Sequence, residues 1–385
     1  MDILKISATG VPLFSEKCEL NFLTTQRVTD DNFNGVRCFF KNKSKTFYRN
    51  NILSLIGINA SGKTTTLRLF AFVCGLLNNE PINTINHSDI FDTLPNEQSV
   101  ELEIYFYLNE QVHLLCPTIT RKDNRLLITK ETLKTKHINS VKSKIDLFNF
   151  KNVDVCLSRE MASDFLLDDT SIMVAFNKKT ENKINVVDML NYTNINKLTI
   201  NEDCPTEIIR FFDPNVEYLK INNKGKDFDI SLKFVGCCEI KLNQMSDINR
   251  YLSSGTIKGI NVFFNAIKIF HEGGYVIIDE LENHFNHEIV STLIRFYMDE
   301  KINVGGATLI FSTHYPELLD EFERNDNVII VRNMNGITIE NLSKLLKRND
   351  IKKSEVYQSG FLGGTTPLYE AYIDLKRSIM SNNKG

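Results

Sequence analysis

The sequence predicts an α/β protein: a mixed central sheet with helices on both faces, an antiparallel β subdomain, and an inserted, largely helical arm. Three observations carry this expectation. Ile52–Ile56 is a continuous apolar run that leads into Gly57-Ile58-Asn59-Ala60-Ser61-Gly62-Lys63-Thr64 and then a helix-like stretch, Thr65–Leu77. Tyr275–Ile278 and Thr308–Phe311 are short apolar runs separated by a helical pattern over Glu288–Asp299, as in a parallel sheet buried on both faces. Val100, Leu102, Ile104, Phe106 and Leu108 alternate, Asn109-Glu110 interrupts, and Val112 and Leu114 resume, the signature of a half-buried antiparallel hairpin.

The remaining elements follow in order. From Pro117 to Asp229 the periodicity weakens into an Asn- and Lys-rich stretch with short amphipathic pieces at Asp164–Ser171 and Ile208–Leu219; this is the expected helical arm. Ile257, Ile260, Val262, Phe263, Ala266, Ile267 and Phe270 recur at helical spacing and stop at Gly273-Gly274, where a helix-ending glycine belongs. Val328–Val331 and Ile337–Ile339 flank Asn335-Gly336, a hairpin turn pair. The expected organisation is an N-terminal lobe over 1–116, the arm over 117–230, a C-terminal lobe over 231–345 and a closing helical segment over 346–385.

With 385 residues, 42% of them hydrophobic, the chain is long enough for a sizeable core and is not a disordered polypeptide. No 18-residue apolar stretch and no basic-then-apolar leader is present, so no membrane partner is expected and the expected location is cytoplasmic. The eight cysteines include no C-x-x-C pair, which predicts free thiols rather than a disulfide framework or zinc site. A net charge of −3 excludes a surface that is basic everywhere. Segment 117–152 nevertheless holds nine basic residues against three acidic; a solvated face is the commoner meaning of such a run, with a nucleic-acid contact as the alternative.

The residues at 57–64 form a complete G-x-x-x-x-G-K-T phosphate loop between strand and helix. Backbone N–H groups from Asn59 through Thr65 are placed to cradle phosphates, Lys63 to reach the terminal oxygens, and the Thr64 hydroxyl to meet Mg²⁺. ATP and Mg²⁺ are therefore the expected ligands. Asp279-Glu280 at the end of the Tyr275–Ile278 strand adds a metal-associated carboxylate, Asp279, and a candidate catalytic base, Glu280. Leu252-Ser253-Ser254-Gly255-Thr256 opens a helix, where Ser253 and Gly255 present a hydroxyl and free N–H groups suited to a terminal phosphate, although an ordinary N-cap looks the same. His314, after Phe311-Ser312-Thr313, closes a strand at the edge where open α/β sheets bind ligands. His284 and His287 lack the further ligands a metal site needs.

In this order the pieces resemble the ATP-binding-cassette class: a P-loop NTPase of the ABC-type ATPase head, with phosphate loop, signature motif, Walker B with catalytic glutamate, and switch histidine. The resemblance implies a homodimer of two heads paired head to tail, with Ser253 and Gly255 acting in trans and Lys63, Thr64, Asp279, Glu280 and His314 in cis. Ser254 and Thr256 depart from the usual signature glycine and glutamine, and Gln98 is the candidate Q-loop glutamine. A narrower resemblance rests on the phosphate loop, Leu252–Thr256, Asp279–Asn283, Ser312–His314 and Tyr357–Gly364. It looks like the bacterial AAA/ABC-type ATPases of abortive infection, related to the heads of overcoming-lysogenization-defect nucleases and to Septu and PARIS subunits. That implies an ATPase controlling a separately encoded nuclease or toxin, the short tail after His314 leaving no space for a nuclease domain. The alternative is a DNA repair or recombination ATPase like the RecF and structural-maintenance-of-chromosomes families. A transporter head is disfavoured by the long insertion.

Overall fold

The computed structural model describes residues 1–162, 166–180, 182–191, 197–200, 202–223, 228–283, 285–366 and 369–382. The chain opens with strands β1 (Asp2–Thr9), β2 (Cys18–Asn21), β3 (Val36–Lys41), β4 (Thr46–Asn50) and β5 (Ile52–Ile56), then helix α1 (Lys63–Leu77). Next come β6 (Ser99–Leu108), β7 (Gln111–Lys122), β8 (Arg125–His137), β9 (Val155–Ser158), α2 (Met173–Thr180), β10 (Val186–Asp188) and α3 (Thr206–Phe212). A small antiparallel sheet, β11 (Val216–Asn223), β12 (Phe228–Phe234) and β13 (Ile240–Leu242), precedes α4 (Ser254–Glu272) and β14 (Tyr275–Ile278). The last part holds α5 (His287–Met298), β15 (Thr308–Thr313), β16 (Val328–Asn333), β17 (Ile337–Asn341), α6 (Leu342–Leu345), α7 (Lys353–Gln358) and α8 (Tyr369–Asn382).

The central sheet runs β10-β14-β15-β5-β16-β17, parallel except for the β16–β17 hairpin. Every residue of β5, β14 and β15 is buried. Period-2 alternation divides their side chains between two cores. Leu53, Leu55, Tyr275, Ile277 and Ile310 face α1 and the first antiparallel sheet. Ile52, Ile56, Val276, Ile278, Leu309 and Phe311 face α4 and α5. Covering both faces is what lets these strands be mainly apolar on both sides, and it makes the sheet a rigid platform for whatever sits at its edge.

The first antiparallel sheet, β2-β1-β6-β7-β8-β9, packs over α1. The Tyr275 hydroxyl accepts from the Ile3 N–H at 2.7 Å and so joins β1 to β14. The expected hairpin is β6–β7, turning at Asn109 and Glu110, whose φ values of 48° and 58° fit a primed turn.

The arm departs from expectation. The expected boundary at 116/117 falls inside β7, and the described residues of 117–230 are built mainly of strands, with only α2 and α3 as α-helices. β7 and β8 form one long hairpin that continues the first sheet, turning at Asp123-Asn124 with φ 48° and 61°. Ile119, Leu126, Ile128 and Leu133 supply the buried face; the interleaved lysines and threonines masked that alternation. The piece at Ile208–Leu219 breaks because Pro214 follows Asp213, which is extended at φ −141°, so α3 ends at Phe212 and β11 begins at Val216. Of the piece at Asp164–Ser171, residues 164 and 165 lie outside the described residues.

All eight cysteines are free thiols. Among the described residues no helix is long and apolar enough to cross a membrane. Part of the basic segment is used within the fold. Lys134 donates to the Phe150 carbonyl, Lys136 to the carbonyls of Asp146 and Asn149, and Lys144 to those of Thr24 and Gln26. A lysine held by backbone carbonyls serves the fold rather than a partner.

His113 sits inside the first sheet, stacked on Phe106 at 4.8 Å and edge-on to Phe176, with Nδ1 2.8 Å from the Thr135 hydroxyl. Burial pushes its pKa down to about 4. The folded imidazole therefore stays neutral while the unfolded one protonates, so stability is full above the unfolded value near 6.5 and falls as pH drops from there towards 4. The cost reaches about 3 kcal/mol. Replacing His113 by Phe should flatten the loss between pH 6.5 and 4 in urea-unfolding curves; an identical acid limb would remove His113 as its source.

Candidate active site

The phosphate loop is shaped by what surrounds it. Gly62 caps α1 in the left-handed region at φ 103°, and a Cβ there would lie 2.5 Å from the Ile337 side chain. A Cβ on Gly57 would meet the Val331 carbonyl at 2.3 Å. Only glycine allows the loop to close this tightly against the β16–β17 hairpin. Asn333 adds a tether, donating from Nδ2 to the Ala60 carbonyl at 3.1 Å. The loop opens into a cleft of about 490 Å³ lined by Asn59 through Thr65, Glu280 and His314.

Lys63 is buried and folds back on the loop, with Nζ donating to the carbonyls of Gly57 at 2.9 Å and Ile58 at 3.2 Å. It lies 3.4 Å from His314 Nδ1. Burial lowers its pKa, a shift opposed by the nearby charges of Asp279, Glu280 and Glu282. An ammonium held by two carbonyls and a histidine ring nitrogen, beside a helix N-terminus, is suited to anionic oxygens.

One strand intervenes between the phosphate-loop strand and the carboxylate strand: β15 pairs with β5 on one side and β14 on the other. The Thr64 hydroxyl consequently reaches Asp279 Oδ2 at 2.7 Å. Asp279 Oδ1 accepts from the Ser312 hydroxyl at 2.5 Å, and Ser312 Oγ in turn accepts from the Glu280 N–H at 2.7 Å. Glu280 occupies the left-handed region at φ 47°, a conformation that costs a residue with a side chain about 1–3 kcal/mol and collects at functional sites. Its Oε1 lies 3.3 Å from His314 Nε2, and its Oε2 accepts from Asn283 Nδ2 at 2.5 Å. Glu282 is buried; Oε1 accepts from the His314 N–H at 2.5 Å, while Oε2 has no hydrogen-bond partner among the described residues.

Lys63, Thr64, Asp279, Glu280 and His314 thus come together in one place. Ser253 and Gly255 do not join them. Ser253 caps α4, accepting from the Thr256 N–H at 3.1 Å, and is exposed on a different part of the surface from the cleft lining. Gln98 is exposed before β6 and is not part of the cleft. His284 lies outside the described residues. The sequence reading passed over Ser312, Glu282 and Asn283, although all three stand inside motifs it quoted; their polarity beside a strand end was the available signal. Leu13, Asn333 and Ile337 also line the cleft, and nothing local in the sequence marks them.

The donor set fits the implied ligands. The loop lining the cleft offers backbone N–H groups and the Lys63 ammonium to phosphate oxygens. A hydroxyl and a carboxylate offer the hard oxygen donors Mg²⁺ takes, with water and phosphate completing its shell.

Comparison with known proteins adds to this geometry. Residues 250–320 match the family described as "AAA domain, putative AbiEii toxin, Type IV TA system". The matched stretch runs from the α4 cap through Asp279 and Glu280 to His314. Together with the parallel sheet and phosphate loop, it supports an ATPase of AAA/ABC type. Among solved structures, the SMC head domain from Thermotoga maritima is similar at 14% identity over 89% of this chain and 99% of that chain, with a TM-score of 0.43. No curated protein matches.

Ser312 bridges the metal-side carboxylate and the Glu280 backbone while fully buried. Ser312→Ala would leave the Glu280 N–H unpaired and should cost about 1–3 kcal/mol of stability. Urea unfolding followed by circular dichroism measures this, and an unchanged midpoint would show that the bridge contributes nothing.

Proposed function

We propose that this protein hydrolyses ATP as a dimeric switch controlling a separately encoded effector, a nuclease or toxin, in bacterial anti-phage defence. The observation that carries the hydrolytic part is the convergence of Lys63, Thr64, Asp279, Glu280 and His314 on one cleft. In this reading Lys63 and the loop N–H groups hold phosphate oxygens, and Thr64 and Asp279 hold the metal. Mg²⁺, when bound, neutralises charge on the phosphates. Glu280 orients the attacking water and takes its proton. The water oxygen bonds the terminal phosphorus while the phosphorus–oxygen bond to ADP breaks, its electron pair leaving with ADP. His314, held at its backbone by Glu282, contacts both Lys63 and Glu280 and so senses whether the cleft is filled.

The cap at Ser253 is exposed and does not line the cleft in its own chain, which supports a head-to-tail pair in which it meets the partner's nucleotide. The defence role rests on the resemblance of the motifs to abortive-infection ATPases, and the toxin named in the description of the family matched over 250–320 is consistent with it. A DNA repair role draws less support from the basic segment, since Lys134, Lys136 and Lys144 are held by backbone carbonyls.

Glu280→Gln should bind ATP and lose turnover, whereas Lys63→Ala should lose binding itself. With Mg-ATP, Glu280→Gln should accumulate as a dimer by light scattering, and adding Ser253→Arg should return it to monomer. Wild-type turnover in Glu280→Gln would remove it as the base, and an identical mass with and without ATP in every variant would remove the ATP-bridged pair. The biological reading is tested by plaque counts in cells expressing the protein with its genomic neighbour. Protection should require both genes, Lys63 and Glu280. Restored ultraviolet resistance in a recombination-deficient host, with no plaque reduction, would replace defence with repair.

A further inference from the structure

Glu280 is held in an unusual way for a side chain at the mouth of a cleft. Its side chain is 42% exposed, a situation in which a glutamate ordinarily changes rotamer within nanoseconds. Here each of its polar groups has a neighbour. The N–H donates to Ser312 Oγ, and the carbonyl accepts from the Asn283 N–H at 2.8 Å. Carboxylate Oε2 accepts from Asn283 Nδ2, leaving Oε1 as the oxygen turned towards His314 Nε2. Asn283 therefore touches Glu280 twice, closing a turn with its main chain and restraining the carboxylate with its side chain.

The loop that presents Asn283 is itself anchored. Leu281 is buried, and its N–H donates to the Ser312 carbonyl at 3.1 Å. Phe285, two residues beyond Asn283, packs against Phe212 of α3 with ring centroids 6.0 Å apart. The Asn283 amide is thus a donor on a supported turn, not on a free loop.

We propose that Asn283 is a positioning residue for hydrolysis: its amide occupies Glu280 Oε2, so that Oε1 alone faces the cleft to receive the proton of the attacking water. This rests on the reading of Glu280 as the base. An amide is well suited to the task because it donates without carrying charge, and it cannot itself take the proton through Nδ2–H. Without it, the exposed carboxylate would be free to swing towards Lys63, whose ammonium lies in the same cleft.

The test compares Asn283→Ala and Asn283→Asp, measuring single-turnover ATP hydrolysis alongside affinity for a fluorescent ATP analogue. Both should bind the analogue as the wild type does and lose about ten- to a hundredfold in the hydrolytic rate, the scale of a misplaced reacting group. Asn283→Asp is the decisive variant. It keeps the size of the side chain and the turn preference of Asn, but presents a like charge to Glu280 instead of a donor. If Asn283 only closes the turn, Asn283→Asp should hydrolyse at the wild-type rate, and that result would overturn the proposal. In a Glu280→Gln background Asn283→Ala should cause no further loss; an additional tenfold drop there would show that Asn283 acts through some other group. Should Asn283→Ala fail to fold, as judged by circular dichroism, Asn283→Asp still decides the matter. An inactive Glu280→Gln beside a fully active Asn283→Asp would end this proposal and leave the base intact, whereas an active Glu280→Gln would remove the base first.

Discussion

The register of three parallel strands is the constraint on which the rest of the site depends. Ile56 is level with Thr313, and Phe311 is level with Ile278, so β5, β15 and β14 deliver their carboxyl ends to one edge. That edge receives the phosphate loop from β5, Ser312 and His314 from β15, and Asp279 and Glu280 from β14. A slip of one residue in any strand would reverse its side chains and carry the polar groups into an apolar core. The same burial that stabilises the sheet therefore fixes the spacing of the polar groups at the cleft.

Much of this was readable in the sequence, and the reasons are specific. β5, β14 and β15 are short, mainly apolar and closed by polar or glycine residues, so both their existence and the place of the polar residues at their ends were legible; α1, α4 and α5 followed from helical periodicity and helix-ending signals. The arm was misread because Lys130, Lys134 and Lys136 stand on the less buried positions of β8, where long basic chains hide a period-2 pattern behind apparent disorder. Ser312, Glu282 and Asn283 were quoted but passed over, since their roles lie in contacts across 30 residues or between neighbours in a turn of unusual backbone shape. Leu13 lines the cleft only because the segment after β1 meets Ile337, whose N–H donates to the Leu13 carbonyl at 2.7 Å. No local pattern announces a contact of that kind.

The phosphate loop depends on supports that are distant in sequence. Val331 and Ile337 close on Gly57 and Gly62, and Asn333 tethers Ala60. The loop is thus a surface shared between β5 and the neighbouring β16–β17 hairpin rather than a property of eight consecutive residues. A match to the motif alone carries less information than a match with the hairpin in place.

Gly259, in the second turn of α4, leaves a notch on the helix that the Phe212 ring fills; a Cβ there would lie 2.2 Å from the ring. Phe212 also meets Phe263 at 5.1 Å and Phe285 at 6.0 Å. The aromatic ring consequently acts as a peg joining α3, the first half of α4 and the turn that follows Glu280. These pieces belong to separate stretches of chain, yet they share one packed contact and so open together or not at all. Native-state hydrogen exchange would accordingly treat α3 and the first half of α4 as a single cooperative unit, with the turn after Glu280 riding on it.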